Sequence, residues 1–153
     1  MSIKKIAIAV TFHYLESRIK YLEMISTQFH TLADEVLVFV FTNVSDDEKL
    51  SQILHSVKQN HEISVEIHTP TYIGHPKLLT WSHFFIFKSV FNNDPSITHF
   101  MYLEDDILIT KQNIDYWLKA RKLLEGQKLV PSFLRYEKKE DSLHLFSTDC
   151  TQN

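Results

Sequence analysis

Glycine is nearly missing from this chain: Gly74 and Gly126 are the only two among 153 residues, against an average share of about 7%. Neither of the glycine-rich phosphate loops can be written with them. G-x-G-x-x-G needs three glycines, and G-x-x-x-x-G-K-[ST] needs two of them five apart. A phosphate-binding site here has to use a metal or side chains instead. Cysteine is limited to Cys150, which excludes an intrachain disulfide and a Cys-rich zinc site. Positive charge is not in excess either: 16 basic residues face 19 acidic ones, for a net charge of −3. That balance offers no duplex-binding surface and no charged tail, so nucleic acid is not an expected partner. No apolar run approaches the ~18 residues of a membrane span, and no transmembrane segment is expected. The opening MSIKKIAIAVTF pairs basic residues with an apolar stretch. Its apolar run is too short for a signal-peptide core, and no small-residue cleavage site follows. A first β-strand and a reducing, cytoplasmic setting are the expectation.

What is present describes an ordinary globule, 44% hydrophobic and 23% charged. The length suits one domain burying roughly 68–70% of its unfolded surface. No repeat and no Pro/Gly/Ser linker divides residues 1–153, so they are read as a single domain. Residues 3–10 are apolar and β-branched, a strand. Residues 14–29 switch period, with Leu15, Ile19, Leu22, Ile25 and Phe29 on one helical stripe. Residues 36–41 are continuously apolar, as in a strand covered on both faces. Ser45 and Glu48 form an S-x-x-E capping box for a helix carrying Leu50, Ile53, Leu54 and Val57.

Ile63, Val65 and Ile67 alternate with polar residues and mark a third, half-exposed strand near a sheet edge. Pro76 suits the first position of a helix. Residues 77–91 are so apolar that the segment is expected to be largely buried, with Phe84, Phe85 and Phe87 in the core. A fourth strand, residues 98–103, ends abruptly in Glu104-Asp105-Asp106. A helix around Ile114, Trp117, Leu118 and Arg121 follows, with Gly126 as its C-terminal cap. Residues 129–134 and 143–146 are shorter strand candidates. This alternation predicts an α/β fold: a mostly parallel, doubly wound, Rossmann-like sheet with helices on both faces. Ligands bind such sheets at the carboxyl ends of the strands. Those ends are Thr11-Phe12-His13, Thr42-Asn43 and Glu104-Asp105-Asp106.

Three consecutive carboxylates after an apolar strand are electrostatically awkward. Two like charges about 4 Å apart repel by roughly 4 kcal/mol at an effective dielectric near 20. The nearest cationic residue in sequence is Lys111. A divalent cation would relieve the repulsion, and oxygen ligands select Mg²⁺, Mn²⁺ or Ca²⁺ over zinc. A solvated acidic turn is the competing reading. The remaining histidines show no metal-ligand spacing.

The segment Tyr102-Leu103-Glu104-Asp105-Asp106-Ile107-Leu108, followed by Asn113-Ile114-Asp115-Tyr116-Trp117, resembles the nucleotide-sugar-dependent glycosyltransferases of the GT-A fold. Within them it is similar to the E-D-D (DXD-type) segment of the N-acetylglucosaminyltransferase I family. The resemblance covers roughly residues 3–124 at low identity. It implies a metal-dependent hexosyltransferase moving a sugar from a nucleoside-diphosphate sugar, a UDP-sugar first, to a glycan or other hydroxyl acceptor. It implies Asp106 as the ligand of Mn²⁺ or Mg²⁺, Asp105 against ribose or phosphate, and Glu104 acting through water or the sugar. Asn43 falls where the family places an acidic residue that reads the base. His83 matches a histidine packed near the base, although a satisfied core histidine is the plainer reading. Thr11, Phe12 and His13 would cradle base and diphosphate, and Lys77 could reach a phosphate. No general base is identified; Arg135, Glu137 and Asp149 are the late candidates. Two alternatives stay open. One is a truncated or non-catalytic nucleotide-diphosphate-binding module lacking an acceptor-binding half. The other is an α/β interaction domain with no nucleotide site.

Overall fold

A computed structural model of the chain describes residues 2–58, 63–71, 75–138 and 145–147. The chain divides into two compact units, residues 1–115 and 116–153. The first is built on strands β1 (Lys5–Phe12), β2 (Glu35–Thr42), β3 (Ile63–His68) and β4 (His99–Glu104). They form one sheet in the order β3-β2-β1-β4, with every pair parallel. The chain thus adds strands on one side of β1 and then crosses to the other. That reversal places the topological switch point between β1 and β4.

The pleat divides the strands into two buried faces. Ala7 and Ala9 of β1 share one face with Phe39 and Phe41 of β2, as the register requires. This face packs beneath a 3₁₀ segment, Pro76–Trp81, and helix α4 (His83–Asn93), through Leu79, Ile86, Phe87 and Val90. Ile6, Ile8 and Val10, with Val38 and Val40, are also fully buried and point the other way. The crossovers β1→β2 and β2→β3 carry helices α1 (Ile19–Ser26), α2 (Phe29–Leu32) and α3 (Asp47–Val57). Right-handed connections put these helices on that second face, opposite α4. Helix α1 packs beside α3 there. The doubly wound α/β fold expected from the alternation is the fold observed.

Local details differ from the sequence reading. The stripe from Leu15 to Phe29 is broken into a 3₁₀ turn, Glu16–Arg18, and helices α1 and α2, leaving Leu15 half exposed. Helix α3 is capped by Asp46, whose carboxylate accepts the Lys49 N–H at 3.1 Å. A carboxylate one residue nearer the helix caps it in place of the expected Ser45 hydroxyl and also suits the positive helix end. The apolar segment 77–91 is not buried all round. Positions 83, 86, 87 and 90 face the sheet at helical spacing, while Phe84, Phe85 and Phe91 are 54%, 83% and 68% exposed.

Helix α5 (Lys111–Leu123) opens on Thr110, which donates its backbone N–H and its hydroxyl to Asn113 Oδ1. The second unit, taken by itself, holds the end of α5 and an antiparallel pair, β5 (Tyr136–Lys138) with β6 (Leu145–Ser147). Gly126 has φ +82°, the left-handed value expected of a glycine after a helix. Residues 129–134 are not a strand: Leu129, Val130, Phe133 and Leu134 are all at least 41% exposed. Pro131 lacks the N–H that a ladder needs, which accounts for the loss.

Candidate functional site

The switch point brings together the ends of β1 and β4. Thr11 is in register with Glu104 across the two parallel strands. Beyond Glu104 the chain turns through Asp105 and Asp106, closed by the Ile107 N–H donating to the Glu104 carbonyl at 3.1 Å. Asp105 points inward and is 4% exposed, whereas Glu104 and Asp106 face solvent.

A cation meets this turn, and it is not Lys111. Arg18, in the 3₁₀ turn after β1, donates Nε and Nη2 to the two oxygens of Asp105 at 2.8 and 2.9 Å. Nη2 also reaches Asp106 at 3.0 Å. The fork-to-carboxylate pairing is the strong, planar form of the interaction. It holds the Arg18 guanidinium further above its ordinary pKa, chiefly through the hydrogen bond to Asp105, with burial opposing. Lys111 instead pairs with Asp115 one turn along α5. The role expected for Asp105 changes accordingly: both its oxygens are committed to Arg18, which leaves it holding the turn rather than facing a ligand. Three carboxylates against one guanidinium leave two negative charges in excess. The exposed carboxylates, Glu104 and Asp106, supply them.

The ends of β1 and β4 carry polar groups behind the turn. Thr11 is 7% exposed, and its hydroxyl makes no well-formed hydrogen bond. Tyr102, two residues before Glu104, has a buried hydroxyl in the same condition. Burial raises the Tyr102 pKa, and the neighbouring Thr11 hydroxyl offsets part of the rise. Beneath them His83 is 9% exposed and stacks on Tyr102 with ring centroids 4.5 Å apart. His83 Nδ1 lies 2.7 Å from the Thr80 carbonyl. A carbonyl only accepts, so Nδ1 carries a proton and donates it. His83 is therefore a largely satisfied, buried histidine that backs the end of β4.

The loop after β1 is tied to the loop after β2. Asn43 Oδ1 accepts the Tyr14 N–H at 2.7 Å, and Tyr14 Oη donates to Gln52 at 2.7 Å. The Asn43 side-chain NH₂ remains as a donor facing solvent. His13 is exposed between these loops. Phe12 is fully buried, with its ring edge-on to Tyr14; it supports the loop from below and does not line its surface. Lys77 is exposed at the start of the 3₁₀ segment, where the His75 ring accepts its backbone N–H. Glu137 is exposed on β5 in the second unit, and Asp149 lies outside the described residues.

Thus Thr11, Glu104, Asp105 and Asp106 converge, Asn43 and His13 flank them, and His83 lies behind. Arg18 is the site residue that sequence reasoning missed. It is 87 positions from Asp105, but a parallel β1–β4 pair sets the loop after one strand beside the loop after the other. Among the described residues, no three His, Cys, Asp or Glu side chains form a ready metal cage, and no helix is long and apolar enough to cross a membrane. No family model, curated protein or solved structure matches the chain.

Proposed function

We propose that this chain is the donor-binding domain of a metal-dependent glycosyltransferase, taking a nucleoside-diphosphate sugar at the switch point between β1 and β4. The observation that carries the reading is the charge left after Arg18 has satisfied Asp105. Glu104 and Asp106 remain as two exposed carboxylates at the place where doubly wound sheets bind ligands. Two excess negative charges suit one Mg²⁺ or Mn²⁺, which such sites hold through one or two carboxylates plus substrate phosphates. When bound, the metal supplies Lewis-acid neutralisation of the diphosphate leaving group.

The chain's own residues do the positioning. Arg18 keeps the β4 turn in place by anchoring Asp105, so that Asp106 and Glu104 are presented outward. The Thr11 hydroxyl can donate to or accept from an incoming ligand. Asn43, with its oxygen turned toward the Tyr14 N–H, presents its N–H donors outward, which suits a carbonyl oxygen on the base. His83 and Tyr102 stack behind the end of β4. An acceptor hydroxyl would attack the anomeric carbon, and the group that takes its proton is not assigned.

Thermal melting with UDP, GDP and CDP, each with Mn²⁺, with Mg²⁺ or with chelator, tests the proposal. Stabilisation by a nucleoside diphosphate only when Mn²⁺ is present supports it. No shift with any nucleotide and either Mn²⁺ or Mg²⁺ refutes it. Turnover of a nucleotide sugar then separates an enzyme from a binding module.

A further inference from the structure

A concavity lies in the first unit, at the carboxyl ends of β2 and β3 and away from the acidic turn. It encloses about 590 Å³, within the roughly 300–1,000 Å³ of small-molecule sites. Phe41 and His68 contribute to it as a stacked pair, with centroids 5.2 Å apart and planes 18° from parallel. Trp81 and Phe85 of the 3₁₀ segment and α4 also line it, and they are 62% and 83% exposed. Thr69, Thr71 and Ser82 add hydroxyls.

We infer that this cleft binds the ring of an uncharged saccharide. Among its described lining residues there is no Lys, Arg, Asp or Glu, so nothing there would neutralise a phosphate or carboxylate. Large aromatic faces left in water are strong binding surfaces, and a flat C–H face of a sugar ring can cover them. The three hydroxyls make no hydrogen bond to the described protein, and each can both donate and accept, as sugar hydroxyls require. An alkyl chain would leave these polar groups unpaired at a cost; a saccharide would pair them. Phe41 is in register with Thr11, which is in register with Glu104. At about 4.8 Å per strand the cleft begins one strand away from Thr11 and two from the acidic turn. The inference rests on the cleft's own lining and does not require the nucleotide site.

The test is titration of the full chain with methyl glucoside, methyl galactoside, N-acetylglucosamine and chitotriose, followed by calorimetry and by Trp81 fluorescence in a Trp117→Phe background. Uridine is titrated in parallel. Saturable binding of at least one saccharide is expected, weakened about tenfold or more by Trp81→Ala and by Phe85→Ala. Trp81→Tyr should recover part of it. Both aromatic side chains are exposed, so the substitutions should leave the melting curve in place. Absence of saccharide binding, binding indifferent to Trp81 and Phe85, or uridine occupying the cleft in place of sugars would each overturn the inference. Loss of nucleotide binding alone would not touch it.

Discussion

Replacing Arg18 by alanine probes what holds the acidic turn together. The substitution removes two hydrogen bonds to Asp105 and one to Asp106, yet leaves the Asp105 side chain at 6% exposure. Taking one partner from a buried ion pair costs about 3–5 kcal/mol, because the remaining charge stays dry and unpaired. Arg18 is 33% exposed, so solvent already screens part of the attraction and a loss of about 2–3 kcal/mol is the better expectation. The Asp106 contact is largely exposed and adds less than about 1 kcal/mol. For a chain of this size about 2–4 °C of melting temperature accompanies each kcal/mol, so Arg18→Ala should lower it by about 4–12 °C. Urea unfolding followed by circular dichroism gives the free energy directly. Asp105→Asn in the Arg18→Ala background removes the stranded charge and should restore part of the loss. A cost below about 0.5 kcal/mol for Arg18→Ala, or no recovery in the double variant, would refute the claim that Arg18 is the counter-charge of this turn.

Other consequences are simpler to read. Asp46→Ala removes the carboxylate that caps α3 and should cost about 1 kcal/mol in the same urea melts. Phe39→Ala, in the core beneath α4, should cost about 3–5 kcal/mol, whereas Phe85→Ser on the exposed side should stay within about 0.5 kcal/mol. Burial lowers the pKa of His99 from its ordinary value, so the unfolded chain takes up a proton there more readily than the folded one. Its contribution is fully present above about pH 6.5 and declines as pH falls through the folded value. Thermal melts from pH 7.5 to 5 should show that decline, and His99→Gln should flatten it.

The sheet was legible because its strands carry their own signal. The continuous apolar runs at the starts of β1 and β2 become strands buried on both faces, and the alternation of Ile63, Val65 and Ile67 becomes an edge strand. The placement of Glu104–Asp106 at a strand end followed from the same pattern. Arg18 was not legible, because its pairing with Asp105 arises from strand order, which no local window contains. Phe84 and Phe85 misled because the segment's overall apolarity was weighed above its helical phase; positions 83, 86, 87 and 90 already form the inward stripe. The strand expected at residues 129–134 failed at Pro131, where the missing N–H outweighs the apolar neighbours.

Under the proposed function, Glu104 and Asp106 hold a divalent cation against a nucleoside diphosphate, while Arg18 takes up the charge of Asp105. The most direct measurement is a calorimetric titration of Mn²⁺ into the protein with UDP present, on the wild type and on Asp106→Ala. One metal per chain is expected, with affinity falling at least about tenfold in the variant and its melting temperature lowered by no more than about 2–4 °C through loss of the exposed Arg18–Asp106 contact. The same Mn²⁺ affinity in both proteins would contradict it.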